Sequence, residues 1–142
     1  MPIVDIAYLR EMHPALAGDR PSDPFLDRHI KIAARELKKW VGDTAYNDAA
    51  SETPTDTDRA EALKDAEAEL VMFFALDKLN LHITTQGVIL SSIEKSHLGT
   101  GTIATASPAQ LKAMKQPYYD NARHFAKDYI TGTGNLTPVK VT

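Results

Sequence analysis

Apolar residues recur at intervals of three and four in three separate stretches, which predicts three amphipathic helices. The first lies between Ser22-Asp23-Pro24 and Gly42. Ser22 or Asp23 can cap its N-terminus, Pro24 suits its first turn, and Gly42 suits its end. Its buried stripe is predicted to contain Leu26, Ile30, Ala33, Leu37 and Val41, with Trp40 at the edge.

The second helix is predicted to begin around Thr55–Asp58, where acids favour the positive end of the helix dipole, and to end at Leu79–His82. Its last turns are apolar almost all round, so Val71–Leu81 is expected to be the centre of the core. The preceding segment Thr44–Thr57 has little periodicity. It is predicted to be a linker that Tyr46 could anchor.

The third helix is predicted to begin at Ser107-Pro108, where serine caps and proline follows. Pro117 lies within it and is expected to kink or split it, because proline removes an amide donor. A short amphipathic piece is predicted over Asp5–Met12. The apolar stripe of the third helix is Leu111, Met114, Tyr118, Ala122, Phe125 and Tyr129.

Two segments lack a helical pattern. Residues 82–107 form a polar, glycine-containing arm that could include a short β-hairpin, and such an arm is disordered or is ordered by contact with another chain. Residues 132–142 contain Pro138 among valines and threonines, which favours an extended tail. The predicted fold class is therefore mainly α: a small helical bundle of residues 1–131, with a long polar arm and an extended C-terminal tail.

Composition narrows the function classes. The chain has 142 residues, 43% hydrophobic and 25% charged, which is typical of one soluble domain. A net charge of −3 and a pI near 5.9 argue against a dedicated nucleic-acid binder. There is no cysteine, Met1–Asp5 shows no secretory signal, and the apolar run Leu70–Leu76 is too short for a membrane span. We expect a soluble chain that is not exported.

Charge is distributed unevenly along the chain. Acids outnumber bases between Asp56 and Leu81, and bases outnumber acids from His82 onward. Opposite charges at the two ends suit head-to-side packing of identical subunits, although solvated helix faces give the same pattern.

The sequence has no recognisable catalytic constellation. Its five histidines lack metal-ligand spacing, and Ser91, Ser92 and Ser96 lack a nucleophile elbow. The Leu98–Thr102 stretch lacks the lysine and hydroxyl residue of a phosphate-binding loop. His29 and His124 are expected at the surface or its boundary. These patterns predict neither an enzyme nor a bound metal or cofactor.

Two adjacent tyrosines, Tyr118 and Tyr119, are candidates for a contact with a partner. Tyr118 lies on the apolar stripe of the third helix and is expected in the core. Tyr119 lies off that stripe, so it is the freer candidate for a contact with another molecule.

The order of elements resembles that of the head-to-tail connector, or adaptor, proteins of tailed bacteriophages. A helix with an apolar end at Leu70–Leu81 leads through Ile83-Thr84 and Gly87-Val88 into a polar loop. A return helix with aromatic and alanine positions follows at Tyr118–Ile130. The resemblance covers roughly Pro24–Ile130.

The resemblance implies a structural protein of the virion neck, made in the host cytoplasm. Members of the family form rings, typically of twelve subunits, beneath the portal protein. They extend the channel for double-stranded DNA without sequence-specific binding, dock the next neck or tail protein, and use no cofactor or membrane.

The resemblance also assigns roles to residues of this chain. Contacts with neighbouring subunits or the next ring would come from Thr84, Gln86, Val88, Leu90, Lys95, Leu98 and Ile103. Portal binding would come from Leu136, Thr137, Pro138, Val139, Lys140 and Val141. The channel wall would contain Asp58, Glu61, Asp65 and Glu69.

Two other functions compete with this interpretation. A small helical DNA-binding regulator would use the basic stretch Arg28–Lys39, although the spacing of a helix-turn-helix is missing. A different neck protein, such as a stopper or tail-completion protein, is the other alternative. Stoppers are commonly rich in β-structure, so the predicted helices argue against that one.

Overall fold

The computed structural model describes residues 1–16, 21–79, 81–84, 87–90, 104–105 and 108–131. This part of the chain is mainly helical and forms a helical bundle, which confirms the predicted mainly α class, whereas the predicted tail, residues 132–142, lies outside the described residues. The helices are α1 (Ile6–Met12), α2 (Asp23–Val41), α3 (Asp43–Ala50), α4 (Thr57–Ala75) and α5 (Pro108–Ala126), with a 3-10 turn at Pro14–Leu16. The strands are β1 (Leu81–Thr84), β2 (Gly87–Leu90) and β3 (Ala104–Thr105).

Helix α2 begins and ends where the sequence predicts. The Ser22 hydroxyl accepts a hydrogen bond from the Phe25 amide at 3.3 Å, and Pro24 lies in the first turn. Gly42 ends the helix with a φ of 91°, a backbone conformation that residues with a side chain rarely adopt. The turn at Gly42 leads directly into α3.

Helix α3 occupies part of the segment that was predicted to be a linker, so that prediction is wrong. Tyr46 and Ala49 lie three residues apart and are both buried against the core. Two buried positions in an eight-residue helix are too few for a visible periodicity. Tyr46 does anchor the segment, as its sequence context suggested.

Helix α4 is the central element of the bundle and packs against α2, α3 and α5. Asp56 caps it by accepting a hydrogen bond from the Arg59 amide at 3.0 Å. Every residue from Ala66 to Met72 is buried, so the core is centred earlier than predicted. The helix also ends at Ala75 instead of continuing to His82, because Leu81–Thr84 pairs as a strand.

Helix α5 runs antiparallel to α4. Lys115 Nζ lies 2.9 Å from Asp77 Oδ1, whereas further along α5 Asn121 Nδ2 lies 3.5 Å from Glu69 Oε1. Ala122 and Ala126 are fully buried, and such small side chains allow a close approach between helices.

Helix α5 is continuous through Pro117, so of the predicted kink or split the split does not occur. The backbone bond that proline removes would have joined its nitrogen to the Ala113 carbonyl. Both residues are exposed, so water can satisfy that carbonyl.

The strands form a small antiparallel sheet in the order β2-β1-β3. Leu81 pairs with Leu90 and Thr84 with Gly87, while His82 pairs with Thr105 in β3. The sheet lies within the sequence that connects α4 to α5. It therefore belongs to the segment between the two helices that pack most extensively on each other.

Candidate functional site

The predicted contact residues of the arm and tail are only partly within the described residues. Thr84 lies at the end of β1, and Val88 and Leu90 lie on β2. The other arm positions, and all of the predicted portal-binding positions, lie outside the described residues. These are Gln86, Lys95, Leu98 and Ile103 in the arm, and Leu136, Thr137, Pro138, Val139, Lys140 and Val141 in the tail.

The four predicted channel-facing acids do not share one solvent-exposed face. Asp58 and Glu61 are exposed, whereas Asp65 is half-buried and accepts a hydrogen bond from the Tyr8 hydroxyl. Glu69 is only 7% exposed, because α5 and the end of α1 cover this part of α4. Glu69 is therefore not a surface residue of this fold, and its assignment to a channel wall is corrected.

Glu69 belongs to a buried polar cluster between α1, α4 and α5. His13 Nε2 lies 4.0 Å from Glu69 Oε2, and the His13 and Tyr118 rings meet in a T-shaped arrangement with their centroids 5.7 Å apart. Burial raises the pKa of the Glu69 carboxyl and lowers the pKa of His13, since both charged forms lose solvation. Sequence reasoning missed this pair because no local pattern links two residues so far apart.

A second buried carboxylate, Glu67, connects the N-terminal segment and α3 to α4. Its Oε2 accepts hydrogen bonds from the amides of Ile3 at 3.0 Å and Val4 at 2.9 Å. Its Oε1 accepts a hydrogen bond from the Tyr46 hydroxyl at 2.5 Å. With three donors and no exposed surface, this carboxylate holds the fold together and is closed to a ligand.

Glu67 could have been noticed in the sequence. It stands on the same helical line as Ala60, Leu63 and Leu70, where an acid is out of place on an apolar stripe. A buried carboxylate requires donors, but only the tertiary structure shows that Tyr46 and two backbone amides supply them.

Basic side chains line a cleft on the outer side of α2. The cleft has a volume of about 420 Å³ and lies between α2, the N-terminal residues and α3. Lys31, Arg35 and Lys38 line it, and the Lys38 ammonium lies 5.5 Å from the centre of the Tyr46 ring. The neighbouring acid on α2, Glu36, is not part of this lining. Its carboxylate accepts a hydrogen bond from Trp40 Nε1 at 3.1 Å instead. The cleft is therefore lined by cations and an aromatic ring.

An acidic region covers α3 and the first turns of α4. Between residues 43 and 61 there are six acids and one base, whereas between residues 28 and 39 there are five bases and one acid. The one base, Arg59, pairs with Asp48 at 3.0 Å. The Thr55 amide, which also donates to Asp48, lowers the pKa of that carboxyl. The described structure thus presents two surfaces of opposite charge.

Several individual expectations change in the structure. His29 is buried, with its Nδ1 2.9 Å from the Phe25 carbonyl oxygen, so its predicted place near the surface is wrong; His124 is exposed.

Tyr118 is half-buried against the core. Tyr119 is half-buried as well, with its ring 5.5 Å from Trp40, so it is less free for a partner than predicted. Trp40 itself lies inside the core.

Metal clusters and membrane-spanning helices are both absent from the described ranges. Within them, no group of three or more His, Asp or Glu side chains lies close enough together to hold a metal ion. The helices found there are all too short or too polar to cross a lipid bilayer.

Comparisons with known proteins do not identify a family or a function for this chain. No protein-family model matches the chain, and neither the curated proteins nor the solved structures gave a match. The resemblance to phage connectors therefore stays a prediction.

Proposed function

We propose that this chain is a structural protein of the neck of a tailed bacteriophage. In this proposal identical subunits form a ring, of twelve copies in the typical case, beneath the portal at the capsid vertex. The ring extends the channel for double-stranded DNA and docks the next neck or tail protein. The subunits act by assembly and carry out no chemical reaction.

The arrangement of α4 and α5 is the observation that supports the proposal best. The two helices pack antiparallel, with Asp77 and Lys115 in contact at one end. Helix α4 therefore ends, and helix α5 begins, at this same end of the bundle. A connection as long as residues 76–107, which joins two antiparallel helices at one end, is suited to contact a neighbouring subunit.

Electron microscopy of the purified protein mixed with a cognate portal tests the proposal. We expect a ring stacked on the portal, with the portal alone as the control. A protein that remains monomeric and does not associate with the portal would contradict it.

One observation favours a second candidate, a helical DNA-binding regulator. Arg28, Lys31 and Arg35 are exposed on α2 and could contact phosphates. Binding of the isolated protein to duplex DNA, weakening steeply with added salt, would support this candidate. The net charge of −3 makes it the weaker of the two.

A further inference from the structure

The cations in the cleft of α2 are available to a partner. Arg35 is exposed and forms no ion pair within the described part of the chain. Lys31 pairs with Asp27 at 3.2 Å, but both side chains are largely exposed and such a pair contributes little. Lys38 lies near the Tyr46 ring without a carboxylate partner among the described residues.

A matching set of acids lies on α4. Asp58 and Glu61 are exposed, and neither forms an ion pair with any residue that the structure describes. Asp65 is half-buried, and the Tyr8 hydroxyl donates to one of its two carboxylate oxygens. A carboxylate can accept further hydrogen bonds beyond this one.

The spacings of the two sets agree when the helices are antiparallel. Along α2, Lys31 and Arg35 are four residues apart, and Arg35 and Lys38 are three apart. Along α4 in the reverse direction, Asp65 and Glu61 are four residues apart, and Glu61 and Asp58 are three apart. Each row spans about 10 Å of its helix at 1.5 Å per residue. The pairs would be Lys31 with Asp65, Arg35 with Glu61, and Lys38 with Asp58.

We propose that the basic face of α2 in one copy of the chain binds the acidic face of α4 in the next copy. The two faces are different surfaces, so the contact is head-to-tail and propagates into a closed ring or a chain. The inference rests on the proposed function for the ring itself, and it names the surfaces that join neighbouring subunits. It also gives Asp58, Glu61 and Asp65 a subunit-contact role in place of the channel-facing role.

Charge reversal at the central pair tests the contact. The variants are Arg35→Glu, Glu61→Lys, the double variant, and an equimolar mixture of the two single variants. Sedimentation velocity at low ionic strength measures self-association, and circular dichroism checks that each variant is folded. The control is Lys112→Glu, which makes the same charge change at an exposed position on α5.

We expect each single variant to weaken self-association at least about tenfold, whereas Lys112→Glu leaves it unchanged. The double variant and the mixture should recover association, because each then places opposite charges across the contact. Three results would each overturn the inference. The first is a single variant that associates as strongly as the wild type, and the second is a mixture that does not recover association. The third is a wild type that stays monomeric with and without the portal.

The same variants separate this inference from the proposed function. Rings that form on the portal regardless of Arg35→Glu would leave the proposed function standing and remove the α2–α4 contact. Recovery of association by the mixture in solution, together with failure of every form to attach to the portal, would support the α2–α4 contact and contradict the proposed function.

Discussion

The hydroxyl of Tyr46 on α3 donates a hydrogen bond of 2.5 Å to the buried carboxylate of Glu67 on α4. The same carboxylate accepts the amides of Ile3 and Val4. One side chain of the central helix therefore positions two peripheral segments, the N-terminal residues and α3. Both segments border the basic cleft, since Met1, Pro2 and Tyr46 line it.

Removal of this hydroxyl should destabilise the fold. Tyr46→Phe leaves Glu67 Oε1 buried without its donor, and we expect a loss of about 1–3 kcal/mol in the free energy of unfolding. Urea denaturation followed by circular dichroism measures it. Tyr8→Phe is the control, because its hydroxyl bonds to the more exposed Asp65 and its loss should cost less. Equal stability of Tyr46→Phe and wild type would show that the bond is not needed.

The pH dependence of stability should report the burial of Glu67. Burial raises the pKa of this carboxyl above its ordinary value of 4.5, against the hydrogen bonds from Tyr46, Val4 and Ile3, which lower it. The folded protein then binds the proton more tightly than the unfolded chain does. The stabilisation from Glu67 is therefore complete below pH 4.5 and is lost as the pH rises through the raised pKa.

Glu67→Gln isolates this effect because glutamine does not titrate but can still accept the two backbone hydrogen bonds. As the pH falls from neutral towards 4.5, the wild type should gain stability relative to Glu67→Gln. Urea unfolding of both proteins across this range measures the difference. A difference that does not change with pH would contradict the raised pKa.

The contact between α4 and α5 should not accept a larger side chain. Ala122 is fully buried, so Ala122→Leu should force the helices apart at a cost of about 1–3 kcal/mol. Ala113→Leu makes the same change at an exposed position on the same helix and should be nearly neutral. Thermal unfolding of the two variants compares them directly, and similar melting temperatures would place Ala122 outside the core.

Deletion of the tail should separate folding from attachment. A chain that lacks Leu136–Thr142 keeps Thr131, whose amide donates to the Trp40 carbonyl at 2.9 Å, together with all core residues of the described helices. We expect normal helical content and normal unfolding, with loss of binding to the portal. Sedimentation with the portal measures binding, and normal attachment of the truncated chain would refute the portal-binding role of the tail.

Local sequence signals predicted the elements that have strong local causes. Ser22, Pro24 and Gly42 mark the ends of α2 because each acts on its own backbone or on an amide close by. Asp56 marks the start of α4 in the same way. Helix α3 was not predicted, because the contact that fixes it to the core is a hydrogen bond from Tyr46 to Glu67, which lie 21 residues apart in sequence.

The candidate surfaces divide along the same line. The charges of the two surfaces could be predicted from the sequence. The exposure of each charged side chain could not. Glu69 and Asp58 are both acids of α4, and only the packing of α5 and α1 shows that Glu69 is buried while Asp58 is not. Likewise, only the packing of the helices shows that Arg35 on α2 and Glu61 on α4 are exposed.

By itself, the sequence determined the helical class, the boundaries of α2, the start of α4 and the apolar stripe of α5. These follow from periodicity and capping, which act over a few residues. The tertiary structure alone decided that α4 is central, that Glu67 and Glu69 are buried, and that cations and acids form separate surfaces. Burial depends on which elements pack together, and contacts between residues distant in sequence leave no local pattern.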